Sequence, residues 1–407
     1  MAGRRRVKLP PLPLAEAQAR LLALAPALPV EQRTIQQCLG HYLAEPLLAR
    51  RTQPSAALSA MDGYALRAAD LPGPWRAIGE SAAGHPFLGT VGTNQAVQIS
   101  TGAVVPNGAD MVLLKEDSTR EAETLRLTGE PPTPPERHIR PAGMDFTSDN
   151  LLIGSGTRIG PAQIALAIAG GHSHLSVRRA VTVTVIDGGD ELVAPGILPE
   201  LHQMPASNGP MLCAMAAALP ATITHRGPIA DKLDDLAVAL EAASDSDVII
   251  TSGGASVGDH DLVRPALAAI GATIDFWRVG IKPGKPLLIA TRGHQIILGL
   301  PGNPASAYVT AFLFMMPLLR AMLGAAQPLP FALPARLTSP MARGGSRMEF
   351  LRANWDGATV TLDPLQDSGA LSPLARANAL VVREAWANAK PAGTDVPVYL
   401  IENGGFA

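Results

Sequence analysis

A glycine-rich loop carries the strongest chemical signal in the sequence. TSGGASVGDHD, residues 251–261, follows the apolar run VII and precedes a segment with helical apolar spacing. Gly253, Gly254 and Gly258 free the backbone to turn its N–H groups inward, which suits an anion at the start of a helix. An ordinary strand-to-helix turn needs only one glycine. The loop fits neither GxGxxG nor GxxxxGK[ST], so the sequence indicates neither a dinucleotide fold nor a P-loop.

Two later loops combine cations with rigid turns. IKPGKP sets Lys282 and Lys285 around a Pro-Gly corner. Two ammonium groups at one turn suit a phosphate or another oxyanion, although two solvated surface lysines give the same pattern. GLPGNP follows the run IIL, and a sharp turn, an N-cap and a first helical position explain it structurally. We expect this loop at the same strand ends as the glycine loop, with residues Pro301, Gly302, Asn303 and Pro304.

Acidic residues also cluster after apolar runs. Each one alone is explained as an N-cap or a solvated loop residue, but their shared position after strands favours a common site. Mg²⁺ binds one or two carboxylates together with substrate oxygens, so the pattern predicts a magnesium site beside the anion. The residues in question are Asp187, Asp190 and Glu191 in IDGGDEL, then Asp231, and finally Asp259 and Asp261.

Several other chemistries are not indicated. His172 and His174 form an HxH pair without a cysteine or third ligand nearby, so we predict no zinc site. Cys38 and Cys213 lack a nucleophile motif, and no GxSxG elbow occurs. Covalent catalysis is therefore unsupported. SAMDGYA and STGAVVPNGAD, residues 59–65 and 100–110, are unusual for purely structural segments.

The elements that must position these loops follow from the apolar pattern. From Val181 to about Gly324, apolar runs alternate with helical patterns, which predicts a parallel, doubly wound α/β sheet. Such a sheet binds ligands beyond the carboxyl ends of its strands. Helical spacing in AEAQARLLALA and TIQQCLGHYLAEPL predicts an antiparallel helical arm in the first fifty residues, and GPAQIALAIAGG predicts a helix that packs back on it.

Changes along the chain in the spacing of apolar residues, and in the frequency of Gly and Pro between them, predict four domains. They are a helical, elongated linker at 10–51 and 141–177, a β-rich domain at 52–140, an α/β domain at 178–327, and a C-terminal β-barrel or sandwich at 328–407.

The composition limits the class of protein. The chain has 407 residues, 33 Lys plus Arg against 35 Asp plus Glu, and 17% charged residues, so no surplus of positive charge indicates nucleic acid. Two cysteines and an N-terminal basic run interrupted by prolines indicate the cytoplasm and no secretory signal. The apolar run after Ala305 is interpreted as a buried helix rather than a membrane span. The 39 glycines and 37 prolines indicate many tight loops.

The order of seven motifs resembles the MoeA family of molybdopterin molybdenumtransferases, which includes the E domain of gephyrin. The motifs are SAMDGYA, STGAVVPNGAD, GGDEL followed by PG, SNGPML, TSGGASVGDHD, KPGKP and GLPGNP. The resemblance extends from about residue 10 to the C-terminus. It implies an elongated homodimer that inserts molybdate into adenylylated molybdopterin, with Mg²⁺-dependent release of AMP, and in which the β-rich domain of one subunit faces the α/β domain of the other.

The resemblance also implies site residues. Catalytic positions match Asp62, Thr101, Glu191, Asp231, Asp261, Lys282 and Lys285. Metal ligands match Glu191, Asp231 and Asp261. Substrate-binding positions match Asp145, Ser252, Gly253, Gly254, Ser256, Gly258, Pro301, Gly302, Asn303, Pro304 and Ser368, together with Arg347 or Arg352. The family usually has Ser-Thr-Gly where this chain has Asp187-Gly188-Gly189, and the extra carboxylate could bind Mg²⁺ or repel the anion.

Two alternatives keep the ligand but change the role. A molybdopterin adenylyltransferase has a related α/β domain, but that interpretation leaves SAMDGYA and the C-terminal domain without a function. A non-catalytic pterin-binding scaffold would not need the charged site positions. In the enzyme interpretation, the adenylyltransferase is instead the upstream partner. The sequence does not distinguish molybdate from tungstate.

Overall fold

The structure, a computed structural model, describes residues 11–253 and 262–401, apart from the side chains of Phe276 and Trp277. Most of the glycine loop, including Gly254, Ser256, Gly258, Asp259 and Asp261, lies outside the described residues.

The N-terminal region is only partly helical. Helix Leu14–Leu24 is present, but the second predicted helix is wrong: strand Val30–Thr34 and a single 3-10 turn, Ile35–Gln37, replace it. Gly40 has a φ of +80°, a conformation that interrupts a right-handed helix. The strand instead pairs antiparallel with His174–Arg178.

The apolar residues of this region form a small core with the helix that the sequence predicts further along. Ile35, Leu43 and Leu175 are buried together, and Ile164 and Leu166 of helix Pro161–Ala169 pack against them. The predicted packing of that helix on the N-terminal region is therefore confirmed. Two short antiparallel pairs lie on either side of the boundary with the next region: Leu47–Leu48 pairs with Leu151–Ile153 within this region, and Leu58–Ser59 pairs with Ile139–Arg140 within the next.

A six-stranded sheet forms the β-rich region. Its buried side includes Trp75, Leu66 and Met111. AVQIS, MVLLKE and LRLTG supply three of its strands, as the apolar pattern predicts. In spatial order the strands are Met111–Leu114, Gly63–Leu66, Gln95–Ile99, Trp75–Ser81, Thr124–Leu127 and Ser118–Glu121.

The central sheet of the α/β region is mixed rather than wholly parallel. In spatial order its strands are Ala221–Ile229, Val181–Gly188, Val248–Ser252, Gln295–Leu300, Pro286–Arg292 and Thr273–Arg278. The first four are parallel and the last two run antiparallel to their neighbours. The prediction of a parallel sheet is corrected here because Gly293 and His294 alone connect Pro286–Arg292 to Gln295–Leu300, and so short a connection joins only antiparallel strands.

Helices cover both faces of the central sheet. One core contains Leu212 and Phe314, and the other contains Leu236 and Leu267. The helices are Asn208–Ala216, Leu233–Glu241, Val263–Ala269 and Pro304–Thr310, the last continuing through the π-helical Ala311–Met315 into Met316–Met322. The continuous stretch Pro304–Met322 is long and apolar enough to cross a membrane, but 83% of its most apolar 18-residue window is buried inside the protein, as expected of a core helix.

The C-terminal region is a closed five-stranded barrel, which decides between the predicted barrel and sandwich. Strand Met348–Trp355 closes it by pairing with two others, Thr359–Leu362 and Ala379–Arg383. Strands Leu333–Leu337 and Asp395–Leu400 complete the ring, and a short helix, Ser372–Arg376, lies beside it. Ile281–Lys282 of the α/β region pairs parallel with Met348 and Glu349, so backbone hydrogen bonding joins the barrel to the central domain.

Candidate functional site

A cavity of about 1630 Å³ lies between the carboxyl end of the central sheet and the barrel. One wall comes from loops that follow the strands Val181–Gly188, Val248–Ser252 and Gln295–Leu300. The other wall comes from the KPGKP loop and the barrel. The predicted site residues that line it are Glu191, Ser252, Gly253, Lys282, Lys285, Pro301, Gly302, Asn303, Pro304, Arg347 and Ser368.

Backbone turns form the inner wall of the cavity. Gly253 has a φ of +95°, and its N–H donates to the carbonyl of Leu300 at 3.1 Å, which ties the glycine loop to the GLPGNP loop. Asn303 precedes helix Pro304–Thr310 in an extended conformation, as predicted for an N-cap, but its side-chain amide donates to Ser368 Oγ at 3.0 Å instead of capping the helix. The Ser368 carbonyl also accepts from Ala305 N–H at 3.0 Å. The loop after the sheet is therefore joined directly to the C-terminal region.

The wall formed by the KPGKP loop and the barrel carries cations that a buried carboxylate binds. Lys282 Nζ lies 2.9 Å from Glu349 Oε1, and Arg383 forms a second ion pair with Oε2 of the same residue. Burial raises the pKa of Glu349, but hydrogen bonds from Lys282 and then Arg383 outweigh it and hold the pKa below the usual 4.5. All three side chains line the cavity. Sequence reasoning missed Glu349 and Arg383, because neither lies in a loop with distinctive spacing.

Asp187 lies at the inner end of the cavity. It is fully buried, and Oδ2 accepts from Gly209 N–H at 2.9 Å and lies 3.1 Å from His225 Nε2. Gly209 belongs to the first turn of helix Asn208–Ala216. The protein's own carboxylate thus occupies a helix N-terminus at which an anion would otherwise be stabilised.

Two of the three predicted metal ligands, Glu191 and Asp231, lie in described loops, and Asp261 lies outside the described residues. Glu191 lines the cavity, whereas Asp231 does not. Asp231 N–H donates to Asp190 Oδ1 at 2.9 Å. The loop after Ala221–Ile229 therefore contacts the loop after the neighbouring strand Val181–Gly188. Among the described residues, no group of three His, Cys, Asp or Glu side chains could hold a metal ion.

Besides Asp231, four predicted residues do not line the cavity. Asp62 and Thr101 are together in the β-rich region, where Thr101 N–H and its hydroxyl donate to Asp62 Oδ1 at 2.6 and 2.8 Å and lower the pKa of the exposed carboxyl group. Asp145 is exposed in another loop, and its N–H donates to the carbonyl of Gln53. Arg352 is 1% exposed and donates to the carbonyl of Leu365, so of the two candidate arginines only Arg347 lines the cavity.

Comparison with known proteins assigns the chain to a family. Three family models match nearly its whole length: the MoeA N-terminal region, domains I and II, at residues 12–171, a probable molybdopterin binding domain at 184–321, and the MoeA C-terminal region, domain IV, at 334–401. The chain belongs to the MoeA family. As a MoeA protein it takes part in molybdenum cofactor biosynthesis, and its curated relatives are named as enzymes.

Relatives of the MoeA chain match over nearly its whole length. Proteins named molybdopterin molybdenumtransferase from two Staphylococcus aureus strains, MRSA252 and MSSA476, are each 30% identical to it over 97% of this chain and 96% of theirs. A molybdopterin biosynthesis MoeA protein from Pyrococcus horikoshii superposes with a TM-score of 0.80 at 28% identity, covering 96% of this chain and 99% of that one. A second structure, from strain OT3, gives a TM-score of 0.83 at 24% identity, covers 96% and 100%, and supports the fold.

Proposed function

We propose that the chain inserts molybdate into adenylylated molybdopterin and releases AMP in a Mg²⁺-dependent reaction that yields molybdenum cofactor. The observation that carries the proposal is the cavity between the sheet and the barrel, in which Lys282, Lys285 and Arg347 line one side and Glu191 lines the other. A substrate with phosphates and a second, tetrahedral oxyanion needs cations that are held in fixed positions.

The proposed chemistry needs positioned charges rather than a protein nucleophile. Molybdate and a phosphoanhydride are both anions, so bringing them together costs electrostatic free energy that fixed cations offset. Lys282 is held by Glu349, so its ammonium group is positioned before substrate arrives, and Lys285 extends from the Pro-Gly turn of the same loop. The backbone around Gly253 and Gly302 would hold the phosphates.

The available carboxylates fit Mg²⁺. This ion binds one or two carboxylates and takes its remaining ligands from substrate and water, so a group of three protein ligands is not required. Glu191, Asp231 and Asp261 would hold the ion, and it would supply charge neutralisation and polarisation of the phosphoanhydride.

The position of Asp62 supports a homodimer with a shared site. Asp62 and Thr101 form an exposed, ordered pair that the cavity of the same chain does not include. A partner subunit that brings this pair to the cavity would give it a role in the reaction. The proposal also includes the four-domain division, cytoplasmic localisation, and an upstream molybdopterin adenylyltransferase that supplies the substrate.

The test is release of AMP by the purified protein when it is incubated with adenylylated molybdopterin, molybdate and Mg²⁺. We expect release that needs both molybdate and Mg²⁺, and that falls strongly in Lys285→Ala but not in Lys390→Ala, a lysine that does not line the cavity. Binding without AMP release would instead indicate a scaffold. Formation of adenylylated product from ATP and molybdopterin would indicate an adenylyltransferase.

A further inference from the structure

Two buried oxygen atoms at the inner end of the cavity have no hydrogen-bond donor. Asp187 Oδ1 and Asn208 Oδ1 are without a partner among the described residues, and both side chains line the cavity. The orientation of Asn208 is fixed, because its amide nitrogen donates to Ser252 Oγ at 2.9 Å and to the Gly302 carbonyl at 2.7 Å. The amide oxygen Oδ1 is therefore the atom that still lacks a hydrogen-bond donor.

The two oxygens belong to one patch of the cavity surface. Asp187 pairs in register with Ser252 on the neighbouring strand, and Asn208 donates to the hydroxyl of that serine. Gly209, the residue after Asn208, donates its N–H to the other carboxylate oxygen of Asp187. A buried carboxylate oxygen without a donor costs free energy, so the patch is complete only when a ligand supplies one.

A ligand N–H group explains the patch better than an anion or a metal ion. The carboxylate repels an anion from the N-terminus of helix Asn208–Ala216, while Lys282, Lys285 and Arg347 attract anions elsewhere in the cavity. A metal ion fits less well, because Asp187 presents only Oδ1: its Oδ2 already accepts from Gly209 N–H and lies 3.1 Å from His225 Nε2. Two acceptor oxygens match an edge with N–H donors, such as the 2-amino edge of pterin or the 6-amino edge of adenine.

We propose that Asp187 and Asn208 bind the N–H edge of a nitrogen heterocycle and so fix the orientation of the substrate, with its phosphates directed toward the lysines. This inference rests on the proposed function, whose substrate carries both a pterin and an adenine. Asp187 is then a specificity residue. Its carboxylate accepts a hydrogen bond from the ring's amino group, and a ring with a carbonyl oxygen at that position cannot donate one.

Isothermal titration calorimetry with two matched ligand pairs, pterin with lumazine and AMP with IMP, tests the proposal and shows which ring, pterin or adenine, binds the patch. Lumazine replaces the 2-amino group of pterin with a carbonyl oxygen, and IMP makes the same replacement at the 6-amino group of AMP. A hydrogen bond to a charged group is worth about tenfold to a hundredfold in Kd, so wild type should prefer the amino member of one pair by about that factor. In Asp187→Asn the amide presents N–H where Oδ1 accepted, and the preference should fall to about twofold or less. Asp234→Asn, an equal charge change at an exposed helical position, should keep it.

Each outcome decides the proposal. A preference lost only for pterin assigns the patch to the pterin, and one lost only for AMP assigns it to adenine. No preference in wild type, or one retained in Asp187→Asn, overturns the proposal. If Asp187→Asn does not fold, Asn208→Ala, which removes the second acceptor, should weaken the same preference, and an unchanged preference would overturn the proposal. Loss of Mg²⁺ binding with both preferences intact assigns Asp187 to the metal and also overturns it. AMP release is measured separately, so failure of the proposed function is distinguishable from failure of this inference.

Discussion

Glu349 links the barrel to the KPGKP loop, and Glu349→Gln tests how much that link stabilises the protein. The side chain of Glu349 is 5% exposed, that of Arg383 is 13% exposed, and that of Lys282 is 54% exposed. The exposed Lys282 pair contributes only about 0–1 kcal/mol. Breaking the buried pair with Arg383 costs about 3–5 kcal/mol, and the remaining amide oxygen recovers about 1 kcal/mol as a neutral acceptor. We expect a loss of about 2–4 kcal/mol in the free energy of unfolding.

Urea denaturation at a series of pH values measures this loss. The folded pKa of Glu349 lies below its usual value of 4.5, so its contribution to stability is fully present above that value and disappears as the pH falls through the folded pKa. The difference between wild type and Glu349→Gln should therefore be constant near neutral pH and narrow below about pH 4.5. Glu241→Gln is the matched control, because Glu241 also pairs with an arginine but is 56% exposed. Equal losses in the two variants, or a difference that widens in acid, would refute the reasoning.

Three further predictions concern the site, the proposed dimer and an ion pair of the α/β region. Arg347→Ala should raise the KM for molybdate about tenfold or more while Arg343→Ala, which does not line the cavity, leaves it unchanged in an AMP-release assay. Mixing inactive Asp62→Ala and Lys282→Ala subunits should restore about a quarter of wild-type activity, because half the dimers are mixed and each has one intact shared site. Asp247→Ala should lower the free energy of unfolding by about 2–3 kcal/mol in urea denaturation, because the partly buried Asp247 binds Arg179 through both oxygens at 2.7 Å and also accepts from Thr182.

These three predictions fail in different ways. Equal KM values for Arg347→Ala and wild type would mean that Arg347 does not bind molybdate. Mixed subunits that stay inactive, although they exchange, would contradict a site shared between protomers. A change of less than about 1 kcal/mol for Asp247→Ala would mean that the ion pair is no stronger than an exposed one.

The local patterns in the sequence predicted most of the elements but not all of their pairing. Alternating apolar runs predicted the strands of the α/β region and the barrel, because burial on a sheet depends on local periodicity. The predicted helix after Thr34 was wrong, because Gly40 and pairing with His174–Arg178 outweigh weak helical spacing. The direction of Pro286–Arg292 depends on the length of a turn rather than on the composition of the strand.

The candidate site was predictable where one loop carries the chemistry. KPGKP, GLPGNP and the acidic loop after the first central strand lie around one cavity, since parallel strands present their carboxyl ends at one edge. Contacts between distant segments were not predictable. Glu349 pairs with Lys282 only because Ile281–Lys282 adds to the barrel strand Met348–Trp355, and no spacing in the chain encodes that junction.

Arg347 and Arg352 show the difference between what the sequence determined and what the tertiary structure decided. The sequence by itself determined that an arginine near this barrel strand was available, together with the loops, glycines and charges of the candidate site. It did not determine which arginine, because nearly every residue of Met348–Trp355 is buried and the strand shows no alternation. Arg352 lies within the strand and Arg347 just before it, five positions apart, and an odd offset along an extended chain places side chains on opposite faces. Only the packing of the barrel against the central sheet turns the face of Arg347 to the cavity and buries Arg352.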